Sequence, residues 1–152
     1  MNGVATYSEG VFVGYRHYDA AGIQPLFPFG YGLSYTDFRL CRLRYARDRD
    51  GVTVRVDVQN TGRRPGSQIV QVYVGDPGTA EPPRQLAGFA KVDLRPGRTG
   101  QVAIHVAERA FAHWDAATHQ WVVPDGTYRL YAGTSSADLP LSATIRLTGV
   151  RP

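Results

Sequence analysis

Every second residue from Val52 to Val58 is valine, and Thr53, Arg55 and Asp57 fill the gaps. A period of two marks a strand with one buried face, because successive side chains leave the backbone in opposite directions. The alternation returns at Val70, Val72 and Val74 against Gln71 and Tyr73, at Val102, Ile104 and Val106 against Ala103 and His105, and at Tyr128, Leu130 and Ala132. Leu86, Phe89, Val92 and Leu94 change phase around Gly88, which predicts a bulge or a close backbone approach there. Phe38 to Tyr45 and Leu139 to Leu147 complete about seven strands. Asn60-Thr61-Gly62, Arg63-Arg64-Pro65-Gly66, Arg95-Pro96-Gly97 and Pro124-Asp125-Gly126 supply turns between them. Short strands at this spacing predict an all-β, antiparallel sandwich. Glu108 to His113 has room for one helical turn, and Trp114 and Trp121 flank a polar hairpin tip, DAATHQ.

The first 35 residues break this rhythm. Val11, Val13 and Tyr15 suggest an edge strand, with Glu9, Arg16 and Asp19 in ion pairs or caps. From Pro25 to Tyr35, PLFPFGYGLSY spaces Phe27, Phe29, Tyr31 and Tyr35 with Pro and Gly, which bars a regular helix and predicts an extended strap that must dock its rings somewhere. The expected organisation is therefore an N-terminal extended segment over residues 1–35 and a sandwich over residues 36–150.

Composition narrows the function classes. A chain of 152 residues holds one domain with a short extension and excludes a large multidomain enzyme. Its 17 glycines and 10 prolines favour frequent turns over a helical bundle. Cys41 is the single cysteine, which rules out an intrachain disulfide and a cysteine cluster for zinc. The net charge of +4 permits an anionic partner without demanding one. No apolar run reaches ~18 residues and MNGVATYSEG lacks the regions of a signal peptide, so the expectation is a soluble chain, cytoplasmic by default, without membrane contact.

The run from Gly66 to Ser136, with GSQIVQVYVGDP, PPRQLAGFAKVDLRPGRTGQVAIHV and HWDAATHQWVVPDGTYRLYAGTSSAD, closely resembles the fibronectin type III-like domain at the C-terminus of family 3 glycoside hydrolases. YSEGVFVGYRHYD and PLFPFGYGLSYTDF resemble the stretch by which those enzymes, typically β-glucosidases and β-xylosidases, leave their α/β sandwich domain. The resemblance implies a fibronectin type III-like sandwich of about seven strands preceded by the tail of an α/β domain. It also implies that the catalytic carboxylates lie on domains upstream of this region, so that the module itself is an accessory partner of catalytic domains. That partnership would be in cis in the parent family, with association in trans or as a homo-oligomer also open here. The competing reading is a stand-alone carbohydrate- or protein-binding module.

Retaining glycoside hydrolysis needs two carboxyl groups about 5 to 5.5 Å apart. Glu9, Asp19, Glu81, Glu108, Asp115 and Asp125 are dispersed over turns and strand ends, and none falls in a family catalytic motif, so no catalytic residue is assigned. His113, Asp115 and His119 offer metal-ligand chemistry without a rigid spacing, and neither a metal nor a cofactor is expected. Arg39, Arg42, Arg44, Arg47 and Arg49 lack any accompanying nucleic-acid motif and read as a solvated or interface-facing strand edge, Arg42 and Arg44 sharing a face, so no nucleic-acid partner is expected. Trp114, Trp121, Tyr73, Tyr128 and Tyr131 are the rings on which a sugar could stack; the tryptophans fit core or hairpin packing better. Tyr73 and Tyr131 project from the face opposite Val72, Val74, Leu130 and Ala132 and are expected to be exposed. Phe27, Phe29, Tyr31 and Tyr35 form the candidate interface, unless they fold back on the sandwich.

Overall fold

The computed structural model describes residues 3, 5–75 and 82–148. Seven strands build two antiparallel sheets. Strands β1 (Phe38–Arg47), β2 (Gly51–Asn60) and β5 (Thr99–Ala107) form a three-stranded sheet in the order β1-β2-β5. Strands β3 (Gly66–Gly75), β4 (Gln85–Leu94), β8 (Gly126–Gly133) and β9 (Leu141–Leu147) form a four-stranded sheet in the order β4-β3-β8-β9. Between β5 and β8 lie a 3₁₀ turn at Glu108–Phe111 and a small hairpin of β6 (His113–Asp115) and β7 (Gln120–Val122). The chain switches sheets at β2–β3, at β4–β5 and after β5, which ties the two layers together.

The valines that define the sequence pattern are the core. Val54, Val56 and Val58 on β2 and Val70 and Val72 on β3 are fully buried, and Val102, Ile104, Val106, Leu130, Ala132 and Ile145 close the cluster from β5, β8 and β9. Burial of such side chains is worth about 1.5–3 kcal/mol each, which supplies the cohesion that a chain without disulfides requires. The phase change at Gly88 is a bulge: Val72 pairs with Gly88 and Tyr73 with Leu86, leaving Ala87 as the extra residue. The same glycine marks a close approach, since a Cβ there would stand 2.8 Å from Ile104 Cγ2 and 3.2 Å from the His105 carbonyl.

Tyr128 is buried at the start of β8, its ring edge-on to Phe111 at 5.4 Å and its hydroxyl donating to the Pro124 carbonyl at 2.8 Å. A tyrosine that turns back to the backbone a few residues upstream, at the head of this strand, is a corner device of immunoglobulin-like sandwiches. Tyr128 is therefore a core residue, not part of a sugar platform. Trp114 and Trp121 face one another across β6–β7 with ring centres 5.6 Å apart, and the Arg109 guanidinium lies 4.2 Å from the Trp121 ring. These contacts give the indoles the hairpin role expected of them.

The edge strand expected at Val11, Val13 and Tyr15 does not form. A short helix, α1 (Tyr15–Ala21), stands there, so the N-terminal segment is not extended throughout. Gly14 starts it without a side-chain cap and Gly22 ends it in the left-handed conformation at φ 64°. Seven residues are too few for an isolated helix to persist in water, so tertiary contacts hold it. Among the described residues no helix is long and apolar enough to cross a membrane.

Candidate docking surface

Helix α1 sits on the outer face of the four-stranded sheet. The Tyr15 ring meets Tyr73 edge-on at 5.8 Å, and its hydroxyl accepts the Leu86 N–H at 2.8 Å, beside the β4 bulge. Asp19, one turn later, pairs with Arg84: Nε donates to Oδ2 at 2.9 Å and Nη2 to Oδ1, a bidentate fork. Arg84 in turn lies 5.5 Å from the centre of the Tyr131 ring, and its hydrogen bond to Asp19 raises the guanidinium above its ordinary value. Asp19 thus has the ion-pair role expected of it, with a partner 65 residues away.

This cover corrects the expectation for Tyr73. Alternation places it on the outer face, but α1 lies over that face and Tyr73 is 1% exposed. Its hydroxyl donates to Gln71 Oε1, and burial pushes the phenol well above its ordinary value. Tyr131, paired with Tyr73 across β3–β8, is half-buried beneath Arg84. Neither ring is an open platform.

The strap divides its aromatic residues. Phe29 packs on Tyr15 at 5.3 Å, and its carbonyl accepts the Ser136 N–H at 2.9 Å. Gly30, at φ 84°, lies against Gln71, where a Cβ would fall 1.9 Å from Nε2. Only glycine allows the strap to come this close. Elsewhere along the strap the side chains turn outward, and Phe29 itself keeps half of its surface open. Phe27 and Tyr31 contact each other at 5.5 Å yet both remain exposed, as does Leu26, while Leu33 is 90% and Tyr35 91% exposed. Phe89 and Ile69 add exposed apolar surface on β4 and β3. At Thr36 the strap is fixed again: Thr36 Oγ1 donates to Asn60 Oδ1 at 2.8 Å. Asn60 is wholly buried, accepts also from Gly62 N–H at 3.0 Å, and donates from Nδ2 to the carbonyls of Arg64 and Leu94. The turn signal at Asn60 was readable in the sequence; its role as a buried junction of four segments was not.

The candidate acids stand on separate elements. Glu9 lies in the turn before α1, Asp19 is bound to Arg84, Glu108 opens the 3₁₀ turn, Asp115 ends β6 and Asp125 precedes β8; Glu81 lies outside the described residues. Asp115 is held below the ordinary carboxylate range, first by the Thr118 hydroxyl and then by the Ala117 N–H, and Asp93 likewise by Ser67 and Lys91. A proton-donating carboxylic acid requires the opposite shift. Among the described residues no three His, Cys, Asp or Glu side chains come together to hold a metal, His113, Asp115 and His119 included. Arg42 and Arg44 share Asp57, at 3.6 and 3.2 Å, on the outer face of the β1–β2 pair.

A three-on-four sandwich with a tyrosine corner defines a class, and comparison agrees: the fibronectin type III-like domain family matches residues 68–136. Probable β-glucosidase L of Aspergillus fumigatus is 38% identical over 93% of this chain and 22% of its own length. An exo-α-(1→6)-L-arabinopyranosidase of Bifidobacterium breve is 42% identical over 97% of this chain and 20% of its own. The crystal structure of DesR, a β-glucosidase from Streptomyces venezuelae in complex with D-glucose, superposes with a TM-score of 0.88 at 42% identity, over 92% of this chain and 18% of that one. The chain thus carries a fibronectin type III-like domain over residues 68–136, and more than nine-tenths of it is similar to β-glucosidases, among them a glycoside hydrolase family 3 β-glucosidase of Bifidobacterium adolescentis. It spans about a fifth of the length of the curated relatives it matches.

Proposed function

We infer that the chain is a non-catalytic accessory module of a family 3, β-glucosidase-like glycoside hydrolase, docking on the catalytic part through the strap. The observation that carries this is a segment anchored at Phe29 and Thr36 that nevertheless turns Leu26, Phe27, Tyr31, Leu33 and Tyr35 to solvent. Fixed, exposed rings are preorganised for an interface, and each is worth about 1.5–3 kcal/mol once covered. In the relatives the matched stretch belongs to a chain about five times longer, which supplies a partner in cis. Hydrolysis of the glycosidic bond then belongs to the part of those enzymes that this chain does not match. Residues 1–35 serve as the connection and residues 36–150 as the module.

Two measurements test the reading. The chain alone should release no p-nitrophenol from aryl β-glucosides or β-xylosides, and saturable hydrolysis would overturn the assignment. A relative truncated of its matched fifth should bind this chain in trans, and the triple variant Phe27→Ser, Tyr31→Ser, Leu33→Ser should lose that binding while its melting temperature stays unchanged. Equal binding by the variant would remove the strap from the interface.

A further inference from the structure

A cleft of about 410 Å³ opens between the C-terminal half of α1, the start of the strap, Arg84 and the loop at 134–138. Small-molecule sites typically occupy about 300–1,000 Å³. We propose that this cleft binds a neutral saccharide ring. The first reason is charge. The Asp19–Arg84 fork at its wall puts a carboxylate beside a guanidinium with no net charge between them, so an ionic ligand gains little there. A vicinal diol gains from both, one hydroxyl donating to the carboxylate while its neighbour accepts from the guanidinium. The fork uses two of arginine's five N–H donors, and each carboxylate oxygen has more than one lone pair, so the pair retains capacity for such a ligand.

The second reason is shape and stiffness. Tyr18, Ile23, Pro25 and Pro28 give the cleft apolar walls suited to the C–H faces of a pyranose, and Gln24 and Ser136 add amide and hydroxyl groups at its rim. The polar pair is already oriented: Arg84 lies over the Tyr131 ring, and the helix that carries Asp19 is fixed by Tyr15 on Tyr73 and on the Leu86 N–H. A ligand would not have to order these groups on arrival, which is the condition under which a few polar contacts yield measurable affinity. The cleft shares Pro25 and Pro28 with the strap, but none of the outward-facing strap rings lines it.

The test is a titration of the ¹⁵N-labelled full chain with glucose and cellobiose, using sorbitol as an acyclic polyol and glucuronate as an anionic ring. Glucose or cellobiose should shift the amides of Gly22, Ile23, Ser136 and Ala137 saturably, with a dissociation constant on the order of 1 mM. Sorbitol and glucuronate should bind more weakly. Tyr18→Ala should weaken binding about fivefold, the equivalent of one lost ring contact, without lowering the melting temperature, because Tyr18 is exposed. Gln24→Ala should weaken it in the same sense. No saturable shift up to about 100 mM, about a hundred times the expected constant, would overturn the proposal. So would an equal response to sorbitol, or a response that Tyr18→Ala leaves unchanged.

Discussion

Tyr15→Phe isolates what fixes the N-terminal segment to the sandwich. The substitution keeps the ring, and with it the contacts to Tyr73 and Phe29 at 5.8 and 5.3 Å, and removes only the oxygen that accepts the Leu86 N–H. That N–H sits on β4, the edge strand of its sheet, beside the bulge at Ala87, and the Tyr15 oxygen is the acceptor it uses there. Leaving a buried donor unsatisfied costs about 1–3 kcal/mol, and Leu86 is only half-buried, so the lower part of that range applies, about 1–2 kcal/mol. For a chain of 152 residues this lowers the melting temperature by about 2–8 °C. Urea denaturation followed by tryptophan emission gives the free energy, because Trp114 and Trp121 lie in the hairpin and not in the helix. Hydrogen exchange at Leu86 gives the location. A helix that is part of the cooperative unit predicts both effects together. An unchanged midpoint with faster exchange confined to residues 15–21 would mean that α1 frays independently, and the argument for a preorganised strap would fail with it.

Asn60→Ala should cost about 2–4 kcal/mol by urea denaturation, since it strands the Thr36 hydroxyl and two backbone carbonyls at once; a loss below about 1 kcal/mol would show that water replaces the amide. Gly133→Ala should be still more damaging, because its Cβ would stand 1.8 Å from the Asp138 carbonyl, the acceptor of the Thr134 N–H; little soluble protein, or a melting temperature down by many degrees, is the expected outcome, and a wild-type transition would refute the geometry. Asp115 has a lowered folded-state pKa, so its contribution is present above the unfolded value of about 3.9 and is lost as pH falls through the folded one. The circular-dichroism couplet of the facing indoles should therefore weaken below that value, and Asp115→Asn should abolish the dependence; a couplet insensitive to acid would detach Asp115 from the hairpin.

The sandwich was legible because each strand carries its own evidence. Four alternating valines leave β2 one register, and Gly88 announces its bulge by breaking the period. Periodicity assigns a side chain to a face, however, and says nothing about what covers that face. Tyr73 was placed on the correct side of β3 and was still misjudged, because α1 arrives from 58 positions earlier in the chain to bury it. The helix itself had little local signature: seven residues between glycines, without a capping side chain, stabilised by contacts to β3, β4 and Arg84 that no window of sequence contains. The strap was half legible. Pro and Gly spacing showed that it is not a helix, but only the structure separates Phe29, which packs on Tyr15 and stays half exposed, from Leu33 and Tyr35, which are almost wholly exposed.

That separation also bears on how the module can associate. A sandwich has sheet edges, and an unpaired edge invites strand addition. Here the β9 edge is answered from the facing sheet: the Tyr45 hydroxyl donates to the Thr144 carbonyl at 2.8 Å and Arg47 Nη2 donates to the Arg146 carbonyl, so both acceptors are engaged before any partner arrives. The β1 strand that supplies them also carries Arg39, Arg42 and Arg44, whose charges oppose a second copy of the same edge. Backbone pairing along this side is thereby disfavoured by both geometry and charge. The strap offers the contrary combination, apolar rings on an anchored backbone with no such block, and surface of that kind is satisfied by a complementary pocket and not by another strand. On the proposal that the strap is an interface, the two features together favour a pocket-bearing partner over strand addition along the β1 and β9 side.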